Sequence, residues 1–276
     1  MMKTKEIIVM PKFWSNIERK RRKYINTYYR KFRKELNDLV IPVMEFFKYS
    51  NDYDNLIASI PALVKTDKVN ALLVEMYGTV GRDFASNIKD SINRKRLKEG
   101  IATKDLDEDL WDEFMQEWAM REAGIKIVSI NNYTKDEFIR LIREQITYGH
   151  EYGLGRDQIA DRIYKQLPKE WNLSTYWKAQ RIAQTEVIGA SNRASFEAAS
   201  RTGYNMTKTW LTAPLGLAKN ERHALPGAIM QETVQMHEKF KVDGGNGYED
   251  MDCPGDANAS PENVINCRCT ITYEII

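Results

Sequence analysis

The sequence is poor in the residues that carry most protein chemistry. It has three cysteines and three histidines in 276 residues. An odd cysteine count cannot close into a complete set of internal disulfides. It fits a reducing compartment, or one bridge plus one free thiol. No run of eighteen apolar residues occurs, so no membrane-spanning helix is expected. No Gly-x-x-x-x-Gly-Lys-Ser/Thr pattern follows a strand candidate, which removes the phosphate-cradling loop of the P-loop enzymes. The opening stretch MMKTKEIIVMPKFW holds an apolar patch too short for a secretory leader, and no cleavage site follows. Synthesis and assembly in a cytoplasm are the expectation.

What is present supports a folded chain with unevenly placed charge. Apolar residues make up 42% and charged residues 29%, a balance compatible with a packed core. The length allows two domains or one elaborated domain. Six Trp and fourteen Tyr argue for packed or contacting surfaces and against a disordered tail. The formal net charge is +2, yet residues 1–35 carry twelve Lys/Arg against three Glu, a local +9 that leaves −7 for the remainder. Such segregation steers a partner without making the whole chain a basic nucleic-acid binder.

Periodicity assigns most of the chain up to about residue 200 to helices. The first runs from about Pro11 to Phe47, with Pro11 suited to a first turn and Pro42 expected to kink or interrupt a late one. Its segment ERKRRKYINTYYRKFRKE interleaves cations with Tyr24, Tyr28, Tyr29 and Phe32. Arg19, Lys20, Arg21, Arg22, Lys23, Arg30, Lys31, Arg33 and Lys34 are the candidate contact residues. They suit the phosphates of DNA, the acidic surface of a protein partner, or plain solvation of a helix packed through its aromatics. A short helix around Asn55–Ile60 precedes Pro61. Val69, Leu72, Leu73, Met76, Val80, Phe84, Ile88 and Ile92 then mark one apolar stripe, with Arg94–Lys98 basic at its end and Gly100 as a stop.

Residues 104–122 form a further helix with an acidic start. Ile125–Ile130 reads as a short strand or extended connector, Asn131–Asn132 as a turn, and Thr134–Glu137 as a capping box opening the next helix. His150 sits in a glycine-broken loop with nothing nearby to orient it. Asp157 opens a short helix that Pro168 closes, and Ser174 caps the next one, which runs to about Ser200. Within it Arg181, Thr185 and Gly189 share one side and Glu186 lies beside them. A buried polar network tying the helix to the tail is one reading, and catalysis by Glu186 is the other. Lys208–Leu211 reads as a strand, and VQMHEKF around His237 as helical.

The tail, residues 208–276, concentrates the unusual chemistry. His223, Cys253, Cys267 and Cys269 are a possible zinc set, because thiolate and imidazole ligands in a group of four close a structural site. Cys267 and Cys269 would share one face of a strand with Arg268 turned away. The spacing Cys-x-Cys is tighter than the usual Cys-x2–4-Cys of zinc sites. Buried thiols and a disulfide from Cys253 to one of the others are the alternatives. A nucleophilic cysteine with His223 as base needs an orienting partner and an oxyanion donor set that no spacing here identifies. Arg222 and Arg268 suit internal salt bridges, with Glu221, Asp256 or Glu262 as candidate partners, or an anionic ligand.

These residues resemble a known family. RIAQTE at 181–186 followed by Asn192, then Lys208 and Trp210, then Arg222-His223 with Gly227, then Pro254-Gly255-Asp256, Pro261-Glu262 and Asn266-Cys267-Arg268-Cys269 follow the order of motifs in the phage head morphogenesis family of Mu F-like minor head proteins. Gln184 stands where that family usually has arginine, and Cys253 where members often carry an aromatic or aliphatic residue. The likeness covers roughly residues 135–276. It implies a structural protein of tailed phages that associates with the portal, meets the major capsid or scaffolding protein, enters the head in few copies, and influences packaging or ejection of double-stranded DNA. It implies no settled catalytic activity, and a place inside the virion near the portal vertex after assembly in the host cytoplasm.

The resulting expectation is an α+β chain, with a helical docking region over 1–130 and a head-morphogenesis domain with short strands over 131–276. Arg181, Thr185, Glu186, Asn192, Trp210, Arg222, Asn266 and Arg268 are its motif residues. The chain is read as a binding protein, with no cofactor beyond a possible structural zinc. A zinc- or cysteine-dependent hydrolase and a DNA-binding virion module are the alternatives.

Overall fold

A computed structural model describes residues 5–49, 53–98, 100, 108–213, 232–243 and 247–276. A mainly helical N-terminal region precedes a C-terminal region of short antiparallel strands, the expected α+β class. The elements are α1 (Lys5–Asp38), α2 (Val40–Tyr49), α3 (Tyr53–Leu63), α4 (Asp67–Lys98), α5 (Glu108–Glu151), α6 (Arg156–Arg201), β1 (Met206–Leu211), β2 (Thr233–Gln235), β3 (Phe240–Asp243), β4 (Tyr248–Met251), α7 (Pro261–Val264) and β5 (Thr270–Ile275). The chain divides into two compact units. One comprises Met1–Thr27, Val74–Glu122 and Ala183–Ile276, and the other Tyr28–Leu73 and Ala123–Ile182.

Several helix boundaries differ from expectation for identifiable reasons. The strand or connector expected at Ile125–Ile130, with its following turn, is part of the continuous helix α5. Thr134 does not cap a helix. Its hydroxyl donates back to the carbonyl of Ile130 at 2.7 Å, the in-helix use of a threonine side chain. Pro168 does not close a helix either, since α6 runs through it. The lost bond to residue 164 is outweighed by burial on both sides, at Ile163, Leu167 and Trp171. Ser174 likewise lies inside α6 and donates to Glu137 Oε1 at 2.8 Å. Pro42 does interrupt its helix. A proline ring clashes with the carbonyl four residues back, and α1 stops at Asp38.

In the first unit, β1 is the central strand of a sheet ordered β2-β1-β5, and β3 and β4 form a separate two-stranded pair. Both neighbours of β1 are antiparallel, with Lys208 opposite Val234 on one side and Tyr273 on the other. Met206, Lys208 and Trp210 alternate into the interior. Trp210, Phe240, Val242, Met251, Cys253, Cys267, Cys269 and Ile271 form one buried cluster. Burying each large apolar side chain contributes about 1.5–3 kcal/mol. His237 is not helical: it is exposed in the turn between β2 and β3, where Glu238 Oε2 accepts from the Gln235 N–H at 2.8 Å.

The second unit packs helical segments around Phe32, Leu36, Val43, Leu56, Ile60, Leu73, Phe138, Ile142, Ile163 and Trp171. The Phe138 and Trp171 rings stack at 3.7 Å, and the Trp171 indole N–H donates to the Leu36 carbonyl at 2.8 Å. Gly149 is required where α5 meets α6, because an added Cβ would lie 2.4 Å from Ile159.

Candidate functional site

Within the first unit, the tail motifs converge on one face of α1 and one stretch of α6. Trp14, Glu18 and Arg21 are spaced four and three apart, so they share a helix face, and all three are buried. The Trp14 indole N–H donates to the Arg268 carbonyl at 3.1 Å, and the Arg268 guanidinium pairs with Glu18. The internal salt bridge of Arg268 thus goes to a residue 250 positions away, and not to Asp256 or Glu262. Arg22 adds a second ion pair to Glu18 at 3.2 Å.

Arg21 is the correction to the proposed contact set. It is 1% exposed. Its Nε donates to Ser191 Oγ at 2.7 Å, Nη1 to the Cys269 carbonyl at 3.1 Å, and Nη2 to Thr270 Oγ1 at 3.3 Å and to Asn192 Oδ1. A rigid five-donor fork suits such a multi-acceptor pocket, whereas a lysine would reach one point. Burial holds the Arg21 pKa down to about 10, with the Glu18 charge opposing, so it stays cationic at neutral pH. Asn192 answers with both ends of its amide. Oδ1 accepts from Arg21 and from Thr270 Oγ1, while Nδ2 donates to the Pro254 and Cys269 carbonyls at 2.9 and 3.1 Å.

The helix in this region is buried on all sides: residues 183–192 are buried without exception. Small residues make that possible. Gly189 lies against Gly255, where an added Cβ on Gly255 would be 2.9 Å from the Gly189 Cα, and Gly255 also has φ +79°. The tail turn is held by Asp256, which accepts from the Asp252 N–H at 2.9 Å and the Asn258 N–H at 3.1 Å. Thr185 Oγ1 accepts from the Asn266 N–H at 3.4 Å, and Asn266 takes the left-handed φ of 60° that asparagine tolerates. Glu186 is buried and accepts from the Tyr77 hydroxyl. Trp210 packs edge-on against Phe240 at 5.3 Å. Lys208 is fully buried, donates to the Asp252 carbonyl at 3.0 Å, and lies over the Phe196 and Phe240 rings at 4.5 and 4.9 Å. Burial lowers its pKa and the Asp252 charge opposes that.

No protein-family model, curated protein or solved structure matches this chain.

The three cysteines are unlinked and buried in the same cluster. Burial pushes the Cys253 thiol up, and the hydrogen bond with Cys269 followed by burial pushes the Cys267 thiol well up. Nucleophilic cysteines need the opposite shift. Among the described residues no three His, Cys, Asp or Glu side chains come together as a metal site. Arg222 and His223 lie outside the described residues, so the fourth zinc ligand has no placed counterpart. The void beside Gly189, Gly255 and Trp118 is about 10 Å³, room for one water and no substrate. The arrangement is suited to holding α6, α1 and the tail together.

The other predicted contact residues divide by exposure. Arg19, Arg22, Lys23, Arg30, Lys31 and Lys34 are exposed, while Lys20 and Arg33 are half-buried and Arg181 is exposed on α6. Lys20 pairs with Asp83 at 2.8 Å and Lys34 with Glu35 at 3.4 Å. Reading the sequence missed Trp14, Glu18 and Tyr77 as parts of the hub. The spacing of Trp14, Glu18 and Arg21 on one face was the available signal, hidden inside a run of cations.

Proposed function

We propose that this chain is a minor head protein of a tailed phage that binds the portal and assists head assembly, DNA packaging or ejection. The observation that carries the reading is the use made of the resemblance residues. Thr185, Glu186, Asn192, Lys208, Trp210, Gly255, Asp256, Asn266 and Arg268 are separated in sequence, yet each is engaged inside one compact unit. A motif spent on holding a module together fits a protein that works by binding. The exposed cations of α1 would meet an acidic surface of the portal, the major capsid or scaffolding protein, or packaged DNA.

The test is retention of purified portal protein by the tagged full chain at low salt. Deleting the N-terminal stretch is unsuitable, because Trp14 and Arg21 are core residues. Reversing exposed Lys23 and Arg30 to Glu leaves the core intact. Portal protein is expected to be retained by the wild type and weakened by about tenfold or more in the double reversal, in line with loss of complementary charge. A portal protein that passes through unbound would overturn the assignment.

A further inference from the structure

The second unit carries an exposed apolar surface on α6. On α6, Leu173 and Trp177 are four residues apart and are 69% and 65% exposed. Beside them Tyr176 meets Trp177 edge-on at 4.9 Å and Tyr29 of α1 edge-on at 5.8 Å. Arg33 lies over the Tyr176 ring at 5.4 Å and donates to the Tyr29 hydroxyl at 3.3 Å. Its Nε is buried and has no hydrogen-bond partner among the described residues. Tyr29, Arg30, Arg33, Lys34, Asn37 and Asp38 line an open groove of about 410 Å³, with three cations against one carboxylate. An apolar ridge therefore runs beside a cationic groove, with aromatic residues joining the two.

We infer that this surface binds an acidic amphipathic helix of a partner protein. It rests on the binding role proposed above and names the partner chemistry which that role leaves open. Two exposed apolar side chains at i and i+4 match the apolar stripe of a helix lying along them. Arg30 and Arg33, lining the groove beside that ridge, supply cations for carboxylates flanking such a stripe. Tyr, Trp and Arg in one patch are the composition of protein-binding hot spots. Nucleic acid fits less well. Leu173 offers phosphate and base nothing, and Arg33 already covers the Tyr176 ring on which a base would stack.

The experiment uses the full chain and fluorescent probes: a synthetic amphipathic helical peptide with Leu on one face flanked by Glu, the same peptide with Gln for Glu, and an oligothymidine. The Glu peptide binds, and the Gln peptide binds at least about tenfold more weakly. The pair L173A/W177A and the pair R30E/R33E each weaken the Glu peptide by about tenfold or more, with far-UV circular dichroism unchanged. The proposal is overturned by absence of Glu-peptide binding, by Glu-peptide affinity indifferent to L173A/W177A, or by oligothymidine being the one probe sensitive to these substitutions. The head-protein reading fails separately: peptide binding without portal binding would sink that reading and leave the helix-docking surface standing.

Discussion

At the residue scale Asn192 and Arg21 act as a pair. Each satisfies the other, and between them they occupy the Ser191 and Thr270 hydroxyls and the Pro254 and Cys269 carbonyls. Removing one leaves the other buried and partly unmatched, at about 1–3 kcal/mol for each orphaned group and more for a charge. Asn192→Leu is therefore expected to lower unfolding stability by about 2–4 kcal/mol, and Arg21→Met by a similar amount. The double variant should lose less than the two losses combined, because the second substitution removes a group the first had orphaned. Urea unfolding of all four proteins measures this coupling, and additive losses would show that the two residues act independently. Asn192 was marked in the sequence by its place after RIAQTE in the motif order. Arg21 was not, because a buried arginine among Arg19, Lys20, Arg22 and Lys23 has the same letter pattern as a solvated one.

At the element scale the legible parts were those with a strong period. The apolar stripe of α4 and the alternation of β1 follow from side chains recurring every three to four or every two positions. The illegible parts were helix interiors that resemble ends. Thr134, Pro168 and Ser174 each carry a boundary signal, and packing overrides all three. Lys178, on α6, is another residue that packing has placed against its preference. It is 7% exposed, its Nζ has no hydrogen-bond partner among the described residues, and the Tyr133 and Trp171 rings lie 4.6 and 4.7 Å away. Burial lowers its pKa from 10.5 to about 8, with the Glu137 charge opposing. Between those two values the unfolded chain binds the extra proton, so stability rises with pH across that window. Below about pH 8 both states are protonated and the cost of burying the charge is fully present. Lys178→Met keeps the stem and drops the charge. It is expected to stabilise the protein at neutral pH by about 1–3 kcal/mol and to flatten the rise above pH 8. Denaturant midpoints from pH 7 to pH 10 decide it, and a destabilised Met variant would mean that the ammonium contributes more through its aromatic contacts than it loses by burial.

At the scale of the whole molecule, the charge asymmetry was visible at once, but its availability was not. A count of letters gives +9 over residues 1–35. The side chains divide that charge differently. Arg21 is committed inside the hub, Lys20 is held by Asp83, Arg22 by Glu18, and Lys34 by Glu35 and Asp38. A cation already paired with a carboxylate displaces few counterions when it meets a phosphate. If all nine candidate residues reached DNA, the logarithm of the association constant would fall with the logarithm of salt at a slope of about −8. With these four residues committed, five remain and the expected slope is no steeper than about −4.5, and duplex affinity at physiological salt stays in the non-specific range. Fluorescence anisotropy with a labelled duplex between 50 and 200 mM NaCl gives the slope directly, with those limits chosen to span the steep part of the dependence. A slope near −7 would mean that DNA pulls Lys20, Arg22 and Lys34 away from their carboxylates. The basic helix would then be a nucleic-acid arm, and the protein-docking role of the same face would have to be abandoned.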